Sequence, residues 1–139
     1  MKVFIEFDLS DDYPSGADGA ELLAKVIVKE FDGAGVTILG NDLWKDCGWC
    51  LDFEYQKAKC FVFFAKYFDG EQWQLTIEST GRLGLLSRVF AKKTPSYQGQ
   101  LRDSTELILK SLKPIAINLS ICLSSNTRNT KATAGELDW

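Results

Sequence analysis

Between Trp49 and Glu78 the chain carries three strand patterns in succession, two with the two-residue alternation of a strand and one apolar throughout between them. Trp49, Leu51, Phe53 and Tyr55 alternate with Cys50, Asp52 and Glu54. Lys59–Lys66 is apolar on both sides, and Trp73, Leu75 and Ile77 alternate with Gln72, Gln74, Thr76 and Glu78. Gln56-Lys57-Ala58 fits a turn between the first two stretches. Asp69-Gly70 signals a hairpin between the last two, through a type I′ turn with positive φ at both central positions. The pattern predicts a three-stranded antiparallel meander whose middle strand, apolar on both faces, lies inside a sheet.

The flanking segments extend this sheet and supply its cover. Val3, Ile5 and Phe7 face one way and Phe4, Glu6 and Asp8 the other. Asp11-Asp12-Tyr13-Pro14-Ser15-Gly16 is a turn cluster. Asp18 with Glu21 has the spacing of a capping box opening a helix, with Leu22, Leu23, Val26, Ile27 and Phe31 as its apolar stripe and Gly33 and Gly35 closing it. Val36–Leu39 reads as a short strand that Gly40-Asn41-Asp42 breaks. Leu83, Leu86, Val89 and Phe90 suit a short amphipathic helix. A second capping box, Asp103 to Glu106, opens a helix that Pro114 stops. Ile115, Ile117, Leu119, Ile121 and Leu123 then alternate with polar and small residues as a last strand. The expected fold is α+β, a mostly antiparallel sheet of about five to six strands with two main helices packed on one face. The expected organisation is one domain over residues 1–123 and a flexible tail over 124–139, where periodicity is lost.

A chain of 139 residues buries about two thirds of its unfolded surface and needs no disulfide staple. With no apolar run near the ~18 residues of a membrane span and no secretory leader pattern, the cytoplasm is the expected compartment and the four cysteines are expected as free thiols. The net charge of −3 hides an asymmetry: residues 1–70 hold 13 acidic and 7 basic side chains, residues 71–139 hold 6 and 9. An acidic first half does not suit a phosphate backbone but suits a basic partner.

Chemistry is thinly represented. Histidine is absent, which removes the commonest general base and metal ligand. Cys47-Gly48-Trp49-Cys50 resembles the active-site pair of thioredoxin-like disulfide oxidoreductases, which implies redox chemistry at a helix N-terminus. The resemblance covers four residues, and Leu51–Tyr55 continues as a strand on which residues three apart diverge. Cys47, Cys50, Cys60 and Cys122 lack zinc-site spacing. Glu6, Asp8, Asp52, Glu54 and Glu78 share the face away from the helices by parity, but no lysine follows an acid two places on, as a carboxylate nuclease core requires. No phosphate-binding loop occurs, and Ser10, Ser15, Ser79 and Ser87 lack an activating histidine. No catalytic residue, cofactor or metal is expected.

A non-catalytic protein-binding role therefore ranks first. In length, layout and absence of an active-site motif the chain is similar to the small α+β immunity proteins that neutralise bacterial toxins; the similarity is of general form and transfers no residue. The expected partner is another protein, basic in charge, and neither nucleic acid nor membrane. Asp11, Asp12, Tyr13, Asp52, Glu54 and Glu78 are the candidate contacts, with Trp44, flanked by Asp42, Lys45 and Asp46, as an anchor. Arg82, Arg88, Lys92 and Lys93 form a separate basic patch. The alternative is a small-molecule carrier or enzyme using a pocket between sheet and helices, lined by Tyr55, Phe63, Trp73 and Tyr97.

Overall fold

A computed structural model describes residues 2–79, 98–125 and 128–133. The elements are β1 (Lys2–Asp8), α1 (Ala17–Phe31), β2 (Val36–Trp44), β3 (Gly48–Tyr55), β4 (Ala58–Ala65), β5 (Trp73–Ser79), α2 (Gln98–Leu112), β6 (Ile117–Ser125) and β7 (Arg128–Thr133). The strands form one seven-stranded antiparallel sheet in the order β2-β3-β4-β5-β1-β6-β7, and the helices pack against it. The α+β architecture is as expected, with one strand more. That strand, β7, lies in the segment read as a flexible tail: residues 128–133 hydrogen-bond along β6 from Ser125 to Ser120. A backbone ladder needs no apolar periodicity, so the polar run 128–133 hides its strand. The helix expected over 83–90 and its basic patch lie outside the described residues.

The meander holds at single-residue precision. Trp73, Leu75 and Ile77 are buried beside Val3, Ile5 and Phe7 of β1, and Leu51, Phe53, Val62 and Phe64 complete the same side. This inner side packs on Ala20, Leu23, Ala24, Ile27 and Phe31 of α1 and on Leu101, Ile108 and Leu112 of α2. The α1 stripe is thus rotated from the expected one: Leu22 is exposed and Ala20 and Ala24 are buried. Small residues let the helix sit close to the sheet.

Neither capping box forms. Gly16 is the N-cap of α1, at φ 89°, with no side-chain cap; its N–H donates to the Lys66 carbonyl at 2.9 Å, tying the helix start to the end of β4. Asp18 falls in the first turn, where its charge still favours the helix dipole. Asp103 lies inside α2, which begins five residues earlier. Gly40 does not break β2: the register shifts between Ile38 and Gly40, a bulge that absorbs one residue while the strand runs on to Trp44. The Asp69-Gly70 turn has positive φ only at Gly70, and Glu71 N–H donates to Phe68 C=O at 3.3 Å, so its geometry is that of type II rather than I′. Ile117, expected inward, is 57% exposed. Asn118 takes φ 55° at the β1–β6 bulge, which turns the start of β6 out of phase with its core-facing end.

The two-residue β3–β4 turn has the type I′ signature, with Gln56 at φ 47° and Lys57 at φ 70°. Left-handed backbone costs a side-chain-bearing residue about 1–2 kcal/mol. Gln56→Asn with Lys57→Gly is expected to raise stability by about 1 kcal/mol in urea unfolding. The Gln56 carbonyl that accepts Gln100 Nε2 at 3.3 Å belongs to the backbone and survives the change.

Candidate functional site

Strand register assigns the side chains of the face opposite the helices. One row across the sheet runs Gly40, Asp52, Phe61, Glu78, Lys2; the next runs Asp42, Cys50, Phe63, Thr76, Phe4, Cys122; the third runs Trp44, Gly48, Ala65, Gln74, Glu6, Ser120. The described helices leave this face open. Its centre is aromatic. The Trp44 ring stacks on Phe63 at 4.5 Å between centroids and 29° between planes, and Phe63 meets Phe61 at 5.5 Å. Trp44 stands on β2 and Phe63 on β4, so the indole crosses β3 beside Gly48. Gly48 has no room for a side chain, since a Cβ there would lie 2.7 Å from the Phe64 carbonyl oxygen. Thr76 and Ala65, between the rings, are buried even on the open side. Phe4 remains 37% exposed.

Carboxylates surround these rings. Asp52 occupies the space that Gly40 leaves open, and neither Asp52 nor Glu6 has an ion pair among the described residues. Glu78 pairs with Lys2 at 3.5 Å, and Glu54 lies opposite Lys59. Asp8 accepts from Asn118 Nδ2 at 3.1 Å. Lys45 Nζ sits 4.5 Å above the Trp44 ring centroid.

Of the residues singled out in the sequence, Trp44, Asp52, Glu54 and Glu78 share this face. Trp44 ends β2 rather than lying in a loop. Asp11, Asp12 and Tyr13 stand apart, in the β1–α1 connection at the Trp44 end of the sheet. Asp11 and Asp12 are exposed there, and Tyr13 packs against the core. Phe4 lies on this face beside Glu6, as its parity predicts; Phe61 and Phe63 belong to the face and were missed, because an apolar β4 reads as burial on both sides, and acidic neighbours at Asp52 and Glu78 in the flanking strands are the signal that its second side faces polar surroundings.

Comparison with known proteins returns nothing. No family model, curated protein or solved structure matches the chain. The site rests on its own geometry.

That geometry separates reactive groups. Asp52 and Glu78 lie two strands apart with Phe61 between, about 10 Å by strand spacing. Among the described residues no three Cys, Asp or Glu side chains gather as metal ligands. Cys47 lies in the β2–β3 turn, Cys50 on the open side of β3, Cys60 on the inner side of β4, and Cys122 four strands from Cys50. The Cys47–Cys50 pair opens a strand and not a helix. Burial, then the nearby Asp52 charge, push the Cys50 thiol up, away from the thiolate. The alternative pocket does not assemble. Phe63 is on the open face, Trp73 is wholly buried, and Tyr97 lies outside the described residues. Tyr55 lines a small cavity with Asp103, Glu106 and Lys110 instead.

Burial also pushes the Cys60 thiol up to about 11, partly offset by the Ser104 and Ser79 hydroxyls. The unfolded thiol ionises near its ordinary 9, so between these values the unfolded state binds fewer protons and stability falls as pH rises. Cys60→Ala is expected to show a shallower loss across that window in urea titrations. In the native wild type at pH 8, a thiol reagent is expected to modify Cys60 only after unfolding.

Proposed function

We propose that this chain is a non-catalytic protein-binding module, an inhibitor of the bacterial immunity-protein type acting in the cytoplasm, whose open sheet face recognises a basic partner. The observation that carries this reading is the arrangement of that face: stacked Trp44 and Phe63 with Phe61 at its centre, and carboxylates Glu6, Asp52, Glu54 and Glu78 around them. Interfaces draw most of their energy from a few aromatic anchors desolvated at the centre of the contact. Surrounding charges speed encounter and select the partner by sign. Trp44 is half-buried against Phe63 and held from above by Lys45, so it presents a rigid edge that loses little freedom on binding. Between β2 and β5 the charge on the strands of this face is mostly acidic, with Lys59 set against Glu54 and, from β1, Lys2 against Glu78.

The test is affinity capture from the native host with three baits: wild type, Trp44→Ala, and a charge reversal at Asp52, Glu54 and Glu78 to lysine. The expected result is one basic protein retained by wild type, released by raised salt, and lost with the reversal. Its affinity is expected to fall by about 30-fold with Trp44→Ala, the ~2 kcal/mol of a central anchor. Recovery of no partner, or equal recovery by all three baits, counts against the reading.

A further inference from the structure

A second surface lies on the other side of the sheet. Among the described residues the order of strands leaves β2 at one edge. Between β2 and the flank of α1 runs a groove of about 430 Å³, with Val28, Val36, Ile38 and Trp49 along its base and Lys25 and Lys29 on its helical rim. The outward main-chain groups of this edge are those of Asn41 and Leu43: the Leu43 N–H points off the sheet and is capped by the Asp42 carboxylate at 2.7 Å, and alternation turns the Asn41 N–H and the carbonyls of both residues the same way. Leu43 is 44% exposed beside this edge.

We propose that this groove takes an extended segment of a partner protein, added along β2 as an eighth strand, with apolar side chains alternating into the groove and an acidic side chain between Lys25 and Lys29. Strand addition at an edge draws affinity from main-chain hydrogen bonds and specificity from pockets that receive every second side chain. An edge strand beside a helix-walled apolar groove provides both. The charge of the occupant follows from the rim. Lys25 and Lys29 are exposed, one helical turn apart, and in no ion pair among the described residues; Glu21 and Asp32 line the two ends of the same groove without pairing with either, and Glu30 is engaged by Lys110 at 3.2 Å. A carboxylate between them relieves their mutual repulsion. A second copy of the chain is the poorer occupant. Two-fold pairing centred on the groove sets the α1 helices antiparallel, and the series Glu21, Lys25, Lys29, Asp32 has the same signs read in either direction, so like charges meet.

The probe is a capped heptapeptide with threonine at the odd positions and valine, glutamate and valine at the even ones, titrated into the full chain and followed by amide NMR shifts. Saturable shifts confined to residues 21–44 are expected, with slowed amide exchange in β2. The same peptide with lysine at its centre is expected to bind about tenfold more weakly, a difference of 1.4 kcal/mol. Lys25→Glu with Lys29→Glu is expected to reverse that order. Leu43→Pro, which removes one outward donor that β3 does not use, is expected to weaken both peptides without altering the melting temperature by more than a few degrees. Absence of binding at millimolar peptide overturns the proposal. So do shifts that fall on the open face or on β7, and a peptide preference that the charge reversal leaves unchanged.

Discussion

Replacing Phe53 with alanine is expected to destabilise the domain by about 4 kcal/mol, the middle of the range for truncating a buried aromatic. Phe53 is fully buried on the inner side of β3, and its ring meets Phe31 at 4.8 Å and 49°. Phe31 is the last residue of α1, so the pair fastens the end of the helix to the sheet just before the chain turns through Gly33 and Gly35 into β2. Truncation leaves a cavity where helix end and strand meet, walled by the sheet and poorly able to collapse. Phe53→Leu keeps most of the volume and loses the ring pairing, so a loss nearer 1 kcal/mol is expected. Urea denaturation of the two variants separates the terms. Equal losses would place the energy in ring geometry rather than in filled volume.

The second large effect concerns one substitution made in two helices, with opposite expected signs. Gly19 and Gly99 both sit in the first turn of their helices, and neither has positive φ. Alanine at Gly99 meets nothing within 4 Å among the described residues and is expected to stabilise by about 0.5–1 kcal/mol, through helix propensity and a less flexible unfolded chain. At Gly19 a Cβ would lie 1.7 Å from the Pro14 carbonyl oxygen. That atom is backbone, in a connection already tied by Gly16 to Lys66 and by Ser15 Oγ to Asp69 at 2.8 Å, so it cannot yield cheaply. Gly19→Ala is expected to cost about 3 kcal/mol, overriding the propensity gain. Paired thermal melts give the signs directly; a raised melting temperature for Gly19→Ala would show that the connection moves freely.

What could be read from residues alone follows how local each determinant is. The core faces of β1, β3 and β5 were legible because alternation in Val3-Ile5-Phe7, Leu51-Phe53 and Trp73-Leu75-Ile77 is the direct imprint of a one-sided core. Helix starts were not. Asp18 and Asp103 have the right spacing for caps, but α1 is begun by a contact from Gly16 to Lys66, fifty residues away, which no local pattern carries. Gly40 looked like a break because a bulge and a break use the same residue. The candidate site was half legible. Parity put Asp52, Glu54 and Glu78 together, yet the aromatic centre of that face was hidden in β4, where Phe61 and Phe63 resemble core residues until both described helices are seen to pack on the other side.

The place of β1 has a consequence for how the domain is made. β1 lies between β5 and β6, so it joins the meander to β6 and β7. The local hairpins of β2 to β5 can close early, but the pairing of Lys2 with Ser124 spans nearly the whole chain. Contacts of such sequence separation are the slow ones in folding. Until β6 has been made, β1 has a neighbour on one flank only, and without β1 in the sheet β6 and β7 have nowhere to attach. Loss of β1 would divide the sheet into two pieces, and the same strand added back as a separate peptide should be able to rejoin them.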